Sequence, residues 1–136
     1  MKKTIVKIVL WVFGIIVAIL IIGTSILEYS MYSSAKAITT EAKSEFKSDS
    51  IQSLINYINS PNHTLKEKNS AVWALGQFAD KKAVPFLTKL SEELTGSDGE
   101  ELSHNKYICR YEVDKALRWC KEGNILKFMY SNRDKW

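Results

Sequence analysis

Apolar residues fall into two patterns along this chain. Residues 8–27 run without a charge and without a polar face, whereas every later apolar stretch is a stripe broken by Ser, Lys, Glu or Gln. Twenty helical residues at ~1.5 Å each extend about 30 Å, the depth of a bilayer's hydrocarbon core, where a single helix satisfies its own backbone hydrogen bonds. The run therefore predicts a transmembrane helix. A buried helix in a soluble core is disfavoured, because a helix this long ordinarily keeps a polar face there. A cleaved secretory signal has an apolar core of about 7–15 residues with small residues close behind it. Here Ala35 and Ala37 make an A-x-A pattern, but it lies beyond Glu28 and well past the run. The length favours a retained anchor. Lys2, Lys3 and Lys7 precede the run and only Lys36 follows closely, so the amino terminus is expected in the cytoplasm and the body of the chain outside it. Trp11, Phe13, Tyr29 and Tyr32 suit the two bilayer interfaces, and lipid-facing bulk accounts for them equally well.

Beyond the run the stripes predict helices, with no strand pairs, and the fold class is all-α. Residues 25–48, rich in Ser, Ala, Thr, Lys and Glu, read as a stalk that is helical until it breaks near residues 48–50, with a disordered linker as the alternative. Asp49 is placed to cap a helix carrying Ile51, Leu54, Ile55 and Ile58, with Gln52 returning the hydrogen bond. Thr64 and Glu67 form a second capping box, opening a helix whose Ala71, Val72, Ala74, Leu75, Phe78 and Ala79 make a broad apolar face. Pro85 fits only near the start of a third helix, striped by Val84, Leu87, Leu90 and Leu94 and ended by Gly96. Residues 95–101 read as an acidic loop. A fourth helix is expected over residues 105–122, closed by Gly123. The domain plan is a transmembrane signal anchor at 1–27, a stalk at 28–48 and a helical domain at 49–136.

With about 25 residues given to the anchor, the rest suffices for one small domain and leaves no room for a large enzyme. Net charge is +3 over residues 1–36, −3 over 37–105 and +4 over 106–136. The last segment could favour an anionic surface, such as lipid head groups, or an acidic partner; solvated helix faces are the simpler explanation. No zinc-finger, RNP or basic-zipper spacing occurs, and no nucleic-acid partner is expected. Cys109 and Cys120, the two cysteines, lie eleven residues apart on the expected fourth helix. That separation is roughly 16 Å along the axis, too far for a disulfide or a shared metal ion. It also places both thiols on one face with Val113, Ala116 and Leu117, as small buried hydrophobes.

Residues 70–90, SAVWALGQFADKKAVPFLTKL, resemble the HEAT-repeat family, in particular the short bacterial form found in phycobilisome lyases. Ala71, Ala74, Leu75 and Gly76 look like the family's A-x-x-A-L-G core, Asp80 like the aspartate of its turn, and Ala83, Val84, Pro85 and Leu87 like the A-V-P-x-L that opens the next repeat. Ile51 and Leu54 match Val84 and Leu87 at an offset of 33, and Ala74-Leu75 matches Ala116-Leu117 at an offset of 42. The resemblance implies a small α-α superhelix of two helix pairs, residues 49–79 and 81–122. It departs from the family where Arg118 stands in place of the glycine and Gln52 in place of the proline. Two pairs leave end faces uncovered. Ile125, Leu126, Phe128, Met129 and Tyr130 are expected to fold back over one end as a cap, and Ile38 and Phe46 to cover the other.

Catalysis needs a convergent nucleophile, base and charge stabiliser, and none is legible. His63 and His104 read as solvated loop residues, the adjacent pairs Glu92-Glu93 and Glu100-Glu101 point in different directions, and residues 97–101 lack the alternating oxygens of a calcium loop. The chain is read as no enzyme, with no cofactor and no metal. The expected function is a membrane-tethered interaction module, an adaptor or scaffold for another protein. The alternatives are a lyase-like or enzyme accessory protein and a binder of anionic surfaces through Lys115, Arg118, Lys121 and Lys127. Solenoids commonly bind along the concave side formed by second helices. Candidate partner residues are therefore Lys68, Asn69, Trp73 and Gln77 in one pair and Arg110, Asp114, Arg118 and Lys121 in the other. Trp73 and Arg118 are the expected anchors, because aromatic and arginine side chains dominate interface energetics. Topology is directly testable: a reporter fused after Trp136 is expected to register an extracytoplasmic position, and a cytoplasmic signal would reverse the orientation.

Overall fold

The computed structural model describes the backbone of residues 2–95 and 108–136, and every element among them is helical. The order is α1 (Lys2–Phe46), α2 (Ser50–Asn59), α3 (Leu65–Phe78), a 3₁₀ turn (Lys81–Ala83), α4 (Val84–Thr95), α5 (Arg110–Glu122) and two further 3₁₀ turns, Ile125–Tyr130 and Arg133–Lys135. The chain divides into two compact units, Met1–Ser33 and Ser34–Trp136. The acidic loop, Gly96 and His104 lie outside the described residues.

In the first unit α1 is long and apolar enough to cross a membrane: an 18-residue window has mean hydropathy 2.7, and none of it is buried within the protein. The hydroxyls of Thr24 and Ser25 each donate to the carbonyl oxygen of Ile21 at 2.9 Å, so these polar groups are satisfied within the helix itself.

In the second unit the capping residues act much as their spacing predicts. Asp49 Oδ1 accepts from the amides of Ile51 and Gln52 at 3.0 and 3.1 Å, satisfying two orphan donors at the start of α2. Gln52 does not return the bond; its amide donates to Asn56 Oδ1 at 2.9 Å, one turn on. At α3 both halves of the capping box form, Thr64 Oγ1 accepting from the Glu67 amide and Glu67 Oε2 from the Thr64 amide. Pro85 is the second residue of α4, where its missing N–H leaves no helical bond unmade. Gly123, at φ +99°, closes α5.

α2 packs on α3, α4 on α5, and α3 on α5. The α3–α5 seam depends on Gly76: a Cβ there would lie 2.9 Å from Ala116 Cα and 3.0 Å from its Cβ. Around it Ala71, Val72, Ala74, Leu75 and Phe78 of α3 are buried with Val113, Ala116 and Cys120 of α5. Cys120 Sγ donates to the Leu75 carbonyl at 3.4 Å. Two expectations on α5 are corrected. The helix begins at Arg110, so Cys109 is its half-buried N-cap residue and not a member of the core stripe. Leu117 is only partly buried, because Val113, Ala116 and Cys120 hold the central line of the inward face.

Residues 34–46, read as part of a stalk, are helical and belong to the second unit. Ala35, Ile38, Thr39 and Ala42, spaced by three and four, are buried. Lys43 Nζ donates to the backbone oxygens of Asp134 (2.9 Å) and Trp136 (2.6 Å), and the Lys36 ammonium lies 6.0 Å from the centre of the Trp136 ring. Trp136 packs edge-on against Phe78 and Tyr130, with centroids 6.0 and 6.5 Å apart. Arg133 pairs with Asp80 and lies over the Phe78 ring, while Ser50 Oγ donates to the Arg133 oxygen at 3.0 Å. The tail thus covers the core with Tyr130 and Trp136. The remainder of the expected cap stays out: Leu126 and Met129 are half-buried, and Ile125 and Phe128 are exposed. A 3₁₀ turn has three residues per turn and can bury only one of its edges.

The seam yields a stability prediction. Leu75→Ala, a fully buried truncation, is expected to cost about 2–5 kcal/mol. Gly76→Val forces α3 and α5 apart and should lower the unfolding midpoint at least as far, whereas Leu117→Ala should cost less than Leu75→Ala. Denaturant unfolding followed by tryptophan fluorescence checks the order.

Candidate functional site

Two open clefts flank α3 in the second unit. One, of about 710 Å³, is bordered by Lys66, Asn69, Ser70 and Trp73 of α3 with Cys109 and Glu112 at the start of α5. The other, of about 390 Å³, has Ser34, Ala37, Ile38 and Glu41 of α1 on one side and Lys66, Glu67, Ser70 and Trp73 on the other. Lys66, Ser70 and Trp73 recur one turn apart, so they stand as a ridge between the clefts, opposite the buried stripe of the same helix. The half-buried Trp73 indole therefore borders both.

Hydrogen bonds fix the walls. Asn69 Oδ1 accepts from the Cys109 amide at 2.8 Å, which ties the first residue before α5 to α3. Glu67 holds the start of α3 through Thr64. Those hydrogen bonds, from the Thr64 backbone amide and then its hydroxyl, keep the exposed Glu67 carboxyl below its ordinary pKa. Glu41 accepts from the Tyr57 hydroxyl at 2.7 Å. Burial, reinforced by that bond and by the carboxylates of Glu41, Glu67 and Glu45, pushes the Tyr57 pKa well above its ordinary value, so the phenol stays neutral and donating. Its ring stacks on His63 with centroids 3.5 Å apart, and His63 Nε2 lies 2.9 Å from Glu45 Oε2. His63 is therefore not the solvated loop residue expected: its side chain is 12% exposed, clasped between α1 and α2.

The expected partner residues separate. Trp73 and Asn69 border a cleft. Lys68 is half-buried and borders neither. Gln77, expected on the outside, is 1% exposed, and its Oε1 accepts from Asn124 Nδ2 at 3.4 Å; it fastens the turn after α5 to α3. Asp114 accepts from Ser91 of α4 at 2.6 Å and lies 3.6 Å from Arg110. Arg118 and Lys121 are exposed on α5 away from both clefts. Lys115 lies over the rings of Trp119 and Tyr111, 4.9 and 5.6 Å from their centres. Sequence reasoning passed over Lys66, Ser70, Glu41 and Glu112. The spacing of Lys66, Asn69, Ser70 and Trp73 was the signal that could have found the ridge.

Chemically the clefts offer an aromatic face, an ammonium group and carboxylates at their rims, a set suited to recognising a mixed apolar and charged surface. Among the described residues no three His, Cys, Asp or Glu side chains are grouped to hold a metal ion.

No protein-family model matches the chain, and no solved structure matches it. Among curated proteins it is similar to a threonine–tRNA ligase of Methanococcus maripaludis (strain C5), 31% identical over an alignment of 107 residues that covers 72% of this chain and 17% of the ligase. The chain spans less than a fifth of the length of that relative.

The two cysteines give this surface a chemical check. Burial pushes the Cys120 thiol up to about 11, whereas Cys109 is half-exposed at the rim of the larger cleft. Only a thiolate alkylates readily. Brief iodoacetamide treatment of the native protein at mildly alkaline pH should mark Cys109 and spare Cys120 until denaturant is added; mass spectrometry distinguishes the two.

Proposed function

We propose that this protein is a membrane-anchored helical interaction module whose binding surface is the ridge at Trp73 and the two clefts beside it. The observation that carries the reading is that a single half-buried tryptophan borders both clefts, since partly buried aromatic side chains in concave surroundings are the usual anchors of protein interfaces. The HEAT-type reading is consistent with the packing of α2 on α3 and α4 on α5 and with the contact of α3 and α5. It is also consistent with Gly76, of the A-x-x-A-L-G motif, lying where those two helices touch. In this reading α1 is a retained single-pass anchor with Lys2, Lys3 and Lys7 on the cytoplasmic side. The folded unit lies outside the cytoplasm and acts by binding, without catalysis. The anchor confines the module to two dimensions and raises the effective concentration of any partner in the same membrane. The ligase's activity forms no part of the reading, because the similarity reaches 17% of that enzyme.

Crosslinking tests the site. A photoreactive amino acid in place of Trp73 should yield a discrete adduct in intact membranes, and Trp73→Ala with Lys66→Glu should reduce recovery of the crosslinked protein several-fold in mild detergent. Arg118→Ala, whose side chain borders neither cleft, should have the smaller effect. Absence of any adduct at position 73, or a larger loss with Arg118→Ala, would move the site elsewhere.

A further inference from the structure

The turn after α5 carries a surface that neither cleft uses. Among the described residues of the second unit the large hydrophobic side chains left exposed are Tyr111, Ile125 and Phe128, and two of these three belong to one 3₁₀ turn. Ile125 is 90% and Phe128 68% exposed. Residues three apart in a 3₁₀ helix lie on the same edge, so the two form one apolar knob.

The knob is held in place by ordered structure. Asn124 Oδ1 caps the turn by accepting from the Leu126 amide at 3.0 Å, and its Nδ2 donates to the buried Gln77. At the other end Tyr130 is fully buried against Phe78, with centroids 5.3 Å apart. The turn thus holds Ile125 and Phe128 outward at the expense of apolar surface left in water, which suggests an apolar partner.

Charge identifies the partner's class. Exposed Lys121 and Lys127 flank the knob, and from Lys115 to Lys127 four basic residues stand against Glu122 alone. We infer that Ile125 and Phe128 insert into the interfacial layer of an anionic phospholipid bilayer while Lys121 and Lys127 meet its phosphate groups. Apolar side chains ringed by lysines match the boundary between acyl chains and anionic head groups, where a lysine stem lies along apolar surface and its ammonium stays among the phosphates. A second copy of this chain fits poorly, because a two-fold contact through the knob would bring lysines toward lysines. The inference rests on the anchor reading for one element, the tether, which keeps the chain at the bilayer surface. The bilayer is then an intramolecular partner at high effective concentration.

The test uses the full chain reconstituted in vesicles of phosphatidylcholine and in vesicles also containing phosphatidylglycerol. Amide hydrogen exchange is followed in residues 121–130, with α3 as the internal control and retention after alkaline extraction as the check on the anchor. Exchange in 121–130 should slow several-fold in the anionic vesicles. The slowing should be lost in Lys121→Gln/Lys127→Gln and in Ile125→Ser/Phe128→Ser, with α3 and alkaline retention unchanged. Equal exchange in both vesicle types would overturn the inference, as would protection that persists in either double variant. Protection that appears only as protein density rises would assign the knob to a second copy instead. A chain released by alkali while 121–130 stays protected would overturn the anchor reading and leave the knob intact.

Discussion

Two helix pairs are too few to bury their own faces, and the rest of the structure depends on what covers them. Each pair buries one side against the other through Gly76 and Ala116, which leaves the outer side of α2 and the far end of α3 in need of a wall. Residues 34–46 of α1 supply one, with Ala35, Ile38, Thr39 and Ala42 turned inward. The tail supplies the other, with Trp136 and Tyr130 closing over Phe78. The two walls are fastened to each other where Lys43 donates to the backbone oxygens of residues 134 and 136. Asp134 adds to the same junction. Burial opposes its charge, but hydrogen bonds from Ser50 and the nearby Arg133 and Lys43 charges outweigh that cost and keep its carboxyl below its ordinary pKa. The fold therefore continues into the helix that carries the apolar run.

This closure explains which parts of the fold could be read from residues alone. The all-α class, the caps at Asp49 and Thr64, the position of Pro85 and the inward stripe of α3 follow from local chemistry, which acts over four residues and is visible in any window of that size. The role of residues 34–46 is legible only in part: Ile38, expected to cover one end, is buried and Phe46 is half-buried, but the rest of the inward face is two alanines and a threonine, small side chains with little hydrophobic contrast. The threonine hydroxyl is satisfied internally, donating to the Ala35 carbonyl at 2.7 Å. Trp136 and His63 are placed by partners beyond any four-residue window, Phe78 for one and Glu45 for the other, on which periodicity is silent. The 3₁₀ edge that turns Phe128 outward is equally hidden, since an apolar cluster reads as core until its turn type is known.

At the candidate site Trp73 emerged from its residue type and its place outside the core stripe. Its neighbours Glu41 and Glu112 did not, because they reach α3 from α1 and α5. Gln77 departs from its pattern for a simple reason: a polar residue on a helix reads as solvent-facing, whereas its amide answers Asn124 across a tight turn. The clefts and the exposed knob lie on different elements, one set along α3 and the other after α5. A module of this kind can hold a partner with one surface while another meets lipid.

Limited proteolysis of the full chain in detergent tests the closure most directly, because Lys36, Lys43 and Lys47 set trypsin sites along the segment in question. If residues 34–46 are a wall of the fold, cleavage after Lys36 and Lys43 proceeds only as α3 unfolds and rises in step with denaturant. Rapid cleavage after Lys43 or Lys47 in native conditions, leaving a stable folded fragment that begins at Ser44 or Ser48, would contradict the account.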